Sequence, residues 1–309
     1  MNLQQLRIIK EVARQNFNLT DVSSALFTSQ SGVSKHIRDF EDELGIEIFQ
    51  RKGKRLLGFT DPGKELLGLV ERVLLDLKNI RALADRYQET DSGQLTIATT
   101  HTQARYILPE VISKFTKAFP KVNLVLHQAS PNEITSLLLD GVVDIGIATE
   151  SLTNIDEFSI FPFYEWSHIV VVPRQHPLAK ESKITFERLS EFPIVTYHEG
   201  FTGRKKIDEI FTNRGLSLNV AMSALDADVL KTYIDLGLGV GIIASMAYQT
   251  DRDIGLVEVE TVEPFKKNTT YIALRRGRFL KSFVYRFLEI ASPILSESTV
   301  KEVILPSGD

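Results

Sequence analysis

Apolar side chains recur at helical spacing through the N-terminal part of the chain and predict three short helices. The apolar positions are Leu3, Leu6, Ile9 and Ala13 in the first helix, Leu19, Val22 and Leu26 in the second, and Val33, Ile37, Phe40 and Leu44 in the third. Thr28 and Ser29 can each cap the third helix, and Gly45 ends it. Two helices joined by so short a turn are typical of a helix-turn-helix, whose second helix enters the DNA major groove.

The other face of the third helix is polar and basic, and a cluster of cations follows it. Four Lys and Arg side chains surround Gly53, as expected at the tip of a hairpin that grips phosphate beside the groove. We therefore predict a winged helix-turn-helix that binds double-stranded DNA. The residues assigned to DNA contact are Thr28, Ser29, Gln30, Ser31, Ser34, Lys35, Arg38, Arg51, Lys52, Lys54 and Arg55. The alternative is an ordinary helical hairpin whose charges are only solvated.

A long amphipathic helix is predicted after the wing. Thr60-Asp61-Pro62 begins it, and apolar residues then repeat at spacings of four and three as far as Gln88. These residues are Leu66, Val70, Val73, Leu77, Ile80 and Ala84. We expect this seam to pair two copies of the chain, and the alternative is a helix that packs only on its own domain. Gly58 to Lys64 also matches the start of a phosphate-binding loop, but Glu65 replaces the Ser or Thr which that loop needs.

Short β-rich runs alternate with helical stretches beyond a polar hinge at Thr90–Gly93. Strands are predicted near 95–99, 123–127, 144–148, 169–172, 194–196, 220–222, 239–243, 256–259 and 270–274, with helices near 103–118, 132–140, 203–213, 226–235 and 279–293. Two α/β units followed by returning strands predict two lobes, with the chain crossing between them near 162 and 265.

The expected fold class is α/β, with an N-terminal winged helix-turn-helix, a long linker helix and a two-lobed, periplasmic-binding-protein-like effector domain. The expected domains are 1–60 for DNA binding, 61–90 for the linker and dimerisation helix, and 91–309 for effector binding. Within the last, lobe I takes about 93–162 and 266–309, and lobe II takes about 163–265.

Hydroxyl and amide side chains follow three predicted strands at the edge where open α/β sheets bind ligands. Thr100, Thr102 and Gln103 follow the first strand and enter a helix, whose N-terminus favours an anion. Thr149 follows another strand, and Thr202 lies at a helix start in the other lobe. These neutral donors predict a site for a small oxyanion between the lobes. The alternative for Thr102 is that it only caps its helix.

Composition places the chain among ordinary globular proteins. It has 309 residues, of which 43% are hydrophobic and 25% charged, with a formal net charge of −4. No apolar run has the roughly 18 residues that span a bilayer, and the first residues lack the order of a signal peptide. With no cysteine, disulfides and thiolate metal sites are excluded. We expect a cytoplasmic protein without membrane contact.

Catalysis and metal binding find little support in the motifs. The six histidines show no metal-ligand spacing, and no Gly-x-Ser-x-Gly nucleophile elbow occurs. His101 has no carboxylate near it in sequence to orient it as a base. A secreted solute-binding protein would carry a signal peptide and no DNA-binding domain. We therefore predict a protein that is not an enzyme and has no metal site and no cofactor.

Two stretches resemble known regulators. Phe27 to Ile37, followed by Leu44 to Arg51, resembles the DNA-binding domain of LysR-type transcriptional regulators, although many members have proline where this chain has Ser31. The segments Thr99–Tyr106, Ala148–Glu150, Gly200–Arg204 and Asp226–Tyr233 resemble the CysB/Cbl subgroup, and this likeness runs over nearly the whole chain.

The resemblance implies an activator of genes for sulfur assimilation and cysteine biosynthesis that responds to sulfate, thiosulfate or acetylserine. It implies Thr100, Thr102, Gln103, Thr149 and Thr202 as ligand contacts. It further implies a homodimer or homotetramer and RNA polymerase as a partner. A Cbl-like regulator of sulfonate and sulfate-starvation genes, or a LysR-type regulator of another pathway, remains open.

Overall fold

The computed structural model describes residues 1–53, 55–87 and 92–304. The chain divides between residues 88 and 89 into two compact units, which are described separately below. Lys54 and the residues 88–91, which include the predicted hinge up to Asp91 and the end of the predicted linker helix, lie outside the described residues.

The first unit is a winged helix-turn-helix followed by a long helix, as the sequence predicts. Its elements are α1 (Leu3–Arg14), α2 (Leu19–Ala25), α3 (Gln30–Leu44), β1 (Phe49–Lys52), β2 (Arg55–Phe59) and α4 (Asp61–Tyr87). Asn2, Asn18 and Ser29 cap the first three helices with their side chains. The inward sides of these helices and both strands of the hairpin enclose one apolar core.

The apolar side chains of helix α4 lie in two environments, the core of the first unit and the exposed surface. Near its start, Val70 is buried and Leu66 is partly buried in the core of the first unit. This part of the predicted seam therefore packs within its own chain. The large apolar side chains that stay exposed on the described part of α4 are Leu69, beside Val70, and Val73, Ile80 and Leu83 beyond it. The candidate pairing surface is thus shifted relative to the predicted seam, because α1 occupies the face that Leu66 and Val70 share.

The second unit contains two lobes, each built on a sheet of five strands. Lobe I begins with β3 (Ser92–Thr99), α5 (His101–Tyr106), α6 (Leu108–Ala118), β4 (Lys121–Gln128), α7 (Pro131–Leu139), β5 (Ile145–Ala148) and β6 (Phe158–Trp166). Lobe II follows with β7 (His168–Pro173), α8 (Phe186–Ser190), β8 (Ile194–Tyr197), α9 (Arg204–Asn213), β9 (Val220–Ala224), α10 (Ala227–Asp235), β10 (Val240–Ala244) and β11 (Leu256–Val259). The chain returns to lobe I through β12 (Asn268–Arg275), α11 (Ser282–Ala291) and α12 (Glu297–Ile304).

The sheet orders position the ends of the parallel strands at the cleft. In lobe I the order is β4-β3-β5-β12-β6, and in lobe II it is β11-β7-β10-β8-β9. Strand β3 runs parallel to β4 and β5, so the loops after all three leave from one sheet edge. None of the helices in the described ranges is long and apolar enough to cross a membrane.

The lobe boundaries lie a few residues beyond the predicted ones. Strand β6 stays paired with β12 as far as Trp166, so the chain leaves lobe I at Ser167 and not near 162. On the return, β12 begins at Asn268. The predicted helix over 103–118 is two helices that meet at Ile107, because Pro109 fits only the first turn of a new helix.

Candidate DNA-binding and ligand-binding sites

Helix α3 presents a polar face on the surface of the first unit. Its buried face consists of Val33, Ile37 and Phe40. The Ser29 hydroxyl accepts a hydrogen bond from the backbone N–H of Gly32 at 3.0 Å and so fixes the start of the helix. Of the residues assigned to DNA contact in this region, Ser29, Gln30, Ser31, Lys35 and Arg38 are exposed, while Thr28 and Ser34 are partly exposed.

The wing is a hairpin whose cations have different roles. Gly53 adopts a left-handed conformation, with φ of 64°, at the tip. Arg51 forms an ion pair with Glu41 of α3. The other oxygen of that carboxylate accepts the backbone N–H groups of Ile48 and Phe49 at 2.9 and 3.2 Å. Arg51 thus ties the wing to α3, whereas Lys52 and Arg55 are exposed.

Lys52→Ala is expected to weaken binding to all DNA sequences about equally. An exposed wing cation contacts phosphate, and each lost contact lowers the slope of log affinity against log salt by about 0.9 per protomer. The measurement is DNA affinity at several salt concentrations, with melting temperature as the stability check. Arg51→Ala is the matched comparison, and we expect it to lower the melting temperature as well, because it also breaks the Glu41 contact. An unchanged slope in Lys52→Ala would show that Lys52 does not contact phosphate.

A network of side chains joins three strand ends of lobe I. The Thr270 hydroxyl on β12 lies 3.1 Å from the Thr149 hydroxyl and accepts from the Trp166 indole N–H at 3.1 Å. The Gln103 amide nitrogen approaches the same hydroxyl at 3.5 Å. The Tyr164 hydroxyl donates to the amide oxygen of Gln103. Two of the predicted ligand residues, Gln103 and Thr149, are therefore held together through Thr270.

Thr102 does not cap its helix. The N-cap of α5 is Thr100, and its side chain makes no capping hydrogen bond. Thr102 is 1% exposed, and its hydroxyl has no hydrogen-bond partner among the described residues. A buried polar group without a partner costs free energy, roughly 1–3 kcal/mol. The alternative in which Thr102 serves only as a cap is therefore wrong, and a ligand would satisfy its hydroxyl.

Thr202 lies where Glu150 of lobe I meets lobe II. The backbone N–H of Gly203, the residue after Thr202, donates to the Glu150 carboxylate. Both residues have positive φ, 45° and 69°, so that their N–H groups converge in front of helix α9. The carboxylate thus occupies an anion-favouring position that the sequence assigns to a ligand. Burial raises the pKa of Glu150, although these N–H groups and Lys206 oppose the shift.

Glu150→Gln is expected to change how stability depends on pH. A carboxyl whose pKa is higher in the folded protein stabilises it below the unfolded pKa, and this contribution is lost as pH rises through the folded pKa. The melting temperature of the variant, relative to wild type, should therefore increase from pH 5 towards pH 8. Exposed Glu157→Gln is the control. A difference that does not vary with pH would contradict the raised pKa.

A second contact between the lobes joins α5 to α10. The Tyr106 hydroxyl donates to Asp228 at 2.7 Å, and the Arg105 guanidinium lies 3.4 Å from the same carboxylate. Burial works against ionisation of Asp228, but the hydrogen bond from Tyr106 and the nearby Lys231 and Arg105 hold its pKa below the ordinary value. The lobes are thus bridged at the starts of both α9 and α10.

His101, Asp226 and Asp228 form the one group within the described ranges whose spacing could hold a metal ion. Asp226 is engaged as the cap of α10, where it accepts the Val229 N–H at 2.9 Å. Lys231 and Arg105 next to Asp228 would repel a cation. The absence of a metal site stays a prediction.

Sequence reasoning missed several residues of the site. His168 is 3% exposed, and its Nε2 lies 2.8 Å from the Thr202 carbonyl oxygen. A carbonyl only accepts, so Nε2 carries the proton; burial lowers the pKa of His168 to about 4 and keeps the ring neutral at neutral pH. Tyr164, Trp166 and Thr270 come from β6 and β12, next to the crossings. The alternation in Phe158–Trp166 is typical of a strand and could have indicated β6.

Comparison with known proteins gives matches over both units. Residues 3–64 match the family model of the bacterial regulatory helix-turn-helix protein, lysR family, and residues 88–293 match the LysR substrate binding domain. The chain is 51% identical over 300 residues to the HTH-type transcriptional regulator SsuR of Burkholderia cenocepacia, covering 97% of each chain. It is 49% identical over 309 residues to the HTH-type transcriptional regulator cbl of Escherichia coli, covering 100% of this chain and 98% of that protein. The solved cofactor-binding domain of the Cbl transcriptional regulator superposes with a TM-score of 0.67 at 44% identity, covering 70% of this chain and 95% of that domain.

Proposed function

Because the chain belongs to the LysR family of bacterial transcriptional regulators, we propose that it controls sulfur-acquisition genes in response to a small ligand bound between its lobes. Members of this family bind DNA and are not enzymes, and the winged helix-turn-helix of the first unit is the part that binds. The gene class is supported by the similarity to regulators named SsuR and Cbl. These two names favour sulfonate and sulfate-starvation genes within the wider class.

The observation that carries the ligand proposal is the buried Thr102 hydroxyl, which lacks a partner within the described ranges. It is adjacent in sequence to Gln103, which belongs to the Thr149–Thr270 network. Neutral hydroxyl and amide donors at the start of a helix suit a small oxyanion, because they bind negative charge without a counter-ion. We therefore propose that sulfate, thiosulfate or acetylserine contacts Thr100, Thr102, Gln103, Thr149 and Thr202.

Glu150 narrows where the ligand's negative charge would lie. Its carboxylate already accepts the Gly203 N–H in front of α9, and two anions there would repel each other. The charged end of the ligand then belongs on the α5 side, near Thr102. A ligand with a hydrogen-bond donor at its other end would be compatible with Glu150, a preference that favours acetylserine over sulfate.

We also propose that two chains pair through the exposed apolar side chains of α4, in the cytoplasm where the DNA is. The two DNA-binding domains of a dimer, or of each pair within a tetramer, would then occupy two half-sites. The DNA-bound protein would then activate transcription by contacting RNA polymerase. Ligand binding would bias this assembly only by binding one arrangement of the lobes more tightly than the other.

Ligand-dependent thermal stability together with promoter occupancy tests this function. The full-length protein is melted with sulfate, thiosulfate, acetylserine and chloride at matched ionic strength. A bound ligand raises the melting temperature with concentration, while chloride reports the general salt effect. Occupancy across the genome should fall on promoters of sulfur genes. Equal shifts with all four compounds would overturn the ligand assignment, and occupancy confined to other pathways would overturn the gene class.

A further inference from the structure

Phe27 stands in the turn between α2 and α3 and is 98% exposed. Of the other phenylalanines of the first unit, Phe40 is fully buried, and Phe17, Phe49 and Phe59 contact one another at centroid distances of 5.0 to 6.3 Å. An exposed aromatic ring gains no stability from burial in the core.

The backbone conformation at Phe27 is also unfavourable for a residue of this type. Its φ is 51°, in the left-handed region. The N–H of Thr28 bonds to the Ser23 carbonyl at 3.0 Å and the N–H of Phe27 bonds to the Ser24 carbonyl at 3.3 Å. These two bonds are a Schellman motif, in which glycine or asparagine normally takes the left-handed position. A bulky aromatic residue there is strained, so folding alone would favour a different residue.

Phe27 lies two residues before Ser29, the cap of α3. The N-terminal residues of a recognition helix are those that reach base edges in the major groove. The exposed residues at the start of this helix, Gln30 and Ser31, are polar, whereas Phe27 places an exposed apolar ring just before them. On the major-groove edges of the bases, the apolar group is the thymine methyl, and phenylalanine is one of the residues that contact it.

We propose that Phe27 contacts the 5-methyl group of a thymine in each operator half-site and thereby contributes to sequence specificity. This contact depends on the DNA-binding function alone and is independent of the ligand. The strained, exposed ring is then a specificity feature that costs stability. Replacing it should stabilise the DNA-binding unit while weakening the recognition of one base pair.

Deoxyuridine substitution tests the contact, because it removes only the methyl group. Each thymine in a footprinted operator is replaced in turn, and affinities are measured for full-length wild type and Phe27→Asn. For wild type, one thymine per half-site should lose about fourfold in affinity, the value of one buried methyl group. Phe27→Asn should bind the natural operator more weakly and show no further loss at that thymine.

Two controls separate the outcomes. Phe27→Asn should melt at or above the wild-type temperature, which shows that the fold is intact. Ile294→Asn removes another exposed apolar side chain, 79% exposed, from the second unit and should bind DNA like wild type. The proposal is overturned if deoxyuridine at that thymine weakens the binding of Phe27→Asn as much as that of wild type, or if Phe27→Asn binds DNA normally but no longer activates transcription. The latter outcome would mean that Phe27 contacts a protein.

Discussion

A chain carrying Val73→Asp and Ile80→Asp is expected to be monomeric and to lose operator affinity by a factor on the order of a hundred or more. Both side chains are exposed on α4, 44% and 64% respectively. They are seven residues apart and therefore lie on one face of the helix. In a paired helix, each aspartate would be buried against its counterpart in the second copy, and burying unpaired like charges is strongly unfavourable.

The affinity falls because the two DNA-binding domains are no longer held together in one assembly. A dimer binds its second half-site as an intramolecular event, whereas a monomer must bind each half-site independently. Light scattering measures the assembly, and gel shifts on a two-half-site operator measure affinity. The fold should survive, because both positions already face solvent in the single chain.

Arg72→Asp with Arg81→Asp is the matched control, since it introduces the same two aspartates at exposed polar positions of the same helix. We expect this variant to keep the wild-type assembly. If the Val73/Ile80 variant also keeps it, α4 does not form the pairing surface. If both variants dissociate, the added charge and not the apolar face is responsible.

The helical part of the fold could be predicted because its signals are local. Helix α3 begins at Gln30 and ends before Gly45, as its cap and its apolar spacing indicate. The single seam assigned to α4 was a harder problem. Apolar spacing shows that residues share a face, but it does not say whether α1 or a second copy covers that face. Val70 and Val73 look equivalent in sequence, yet one is buried and the other exposed.

The candidate site was predicted less completely, because its contacts connect distant parts of the chain. Thr102 and Thr149 follow recognisable strands, so their location at one sheet edge follows from the α/β pattern. Thr270 connects Thr149 to Gln103 from more than a hundred residues away. Similarly, the pairing of Glu150 with the α9 start has no local signal. The role of Arg51 as a tie to Glu41 also depends on tertiary structure.

Thr102→Val with Thr202→Val is expected to lower affinity for the oxyanion ligand about a hundredfold or more. Each substitution keeps the side-chain shape and removes one hydroxyl, and a hydrogen bond to a charged group is worth roughly 1.5–3 kcal/mol. Stability should not fall at Thr102, because its hydroxyl has no partner in the described part of the chain. Calorimetric titration with the compound that raises the wild-type melting temperature measures the effect.

Thr116→Val is the control for this pair. It removes a threonine hydroxyl that bonds only to backbone carbonyl oxygens within the exposed face of α6, so its ligand affinity should equal that of wild type. A double variant that melts like wild type and still binds the ligand with undiminished affinity would show that the threonines do not form the site. A loss of binding with an unchanged melting temperature in the free protein would show that at least one of these two hydroxyls contacts the ligand.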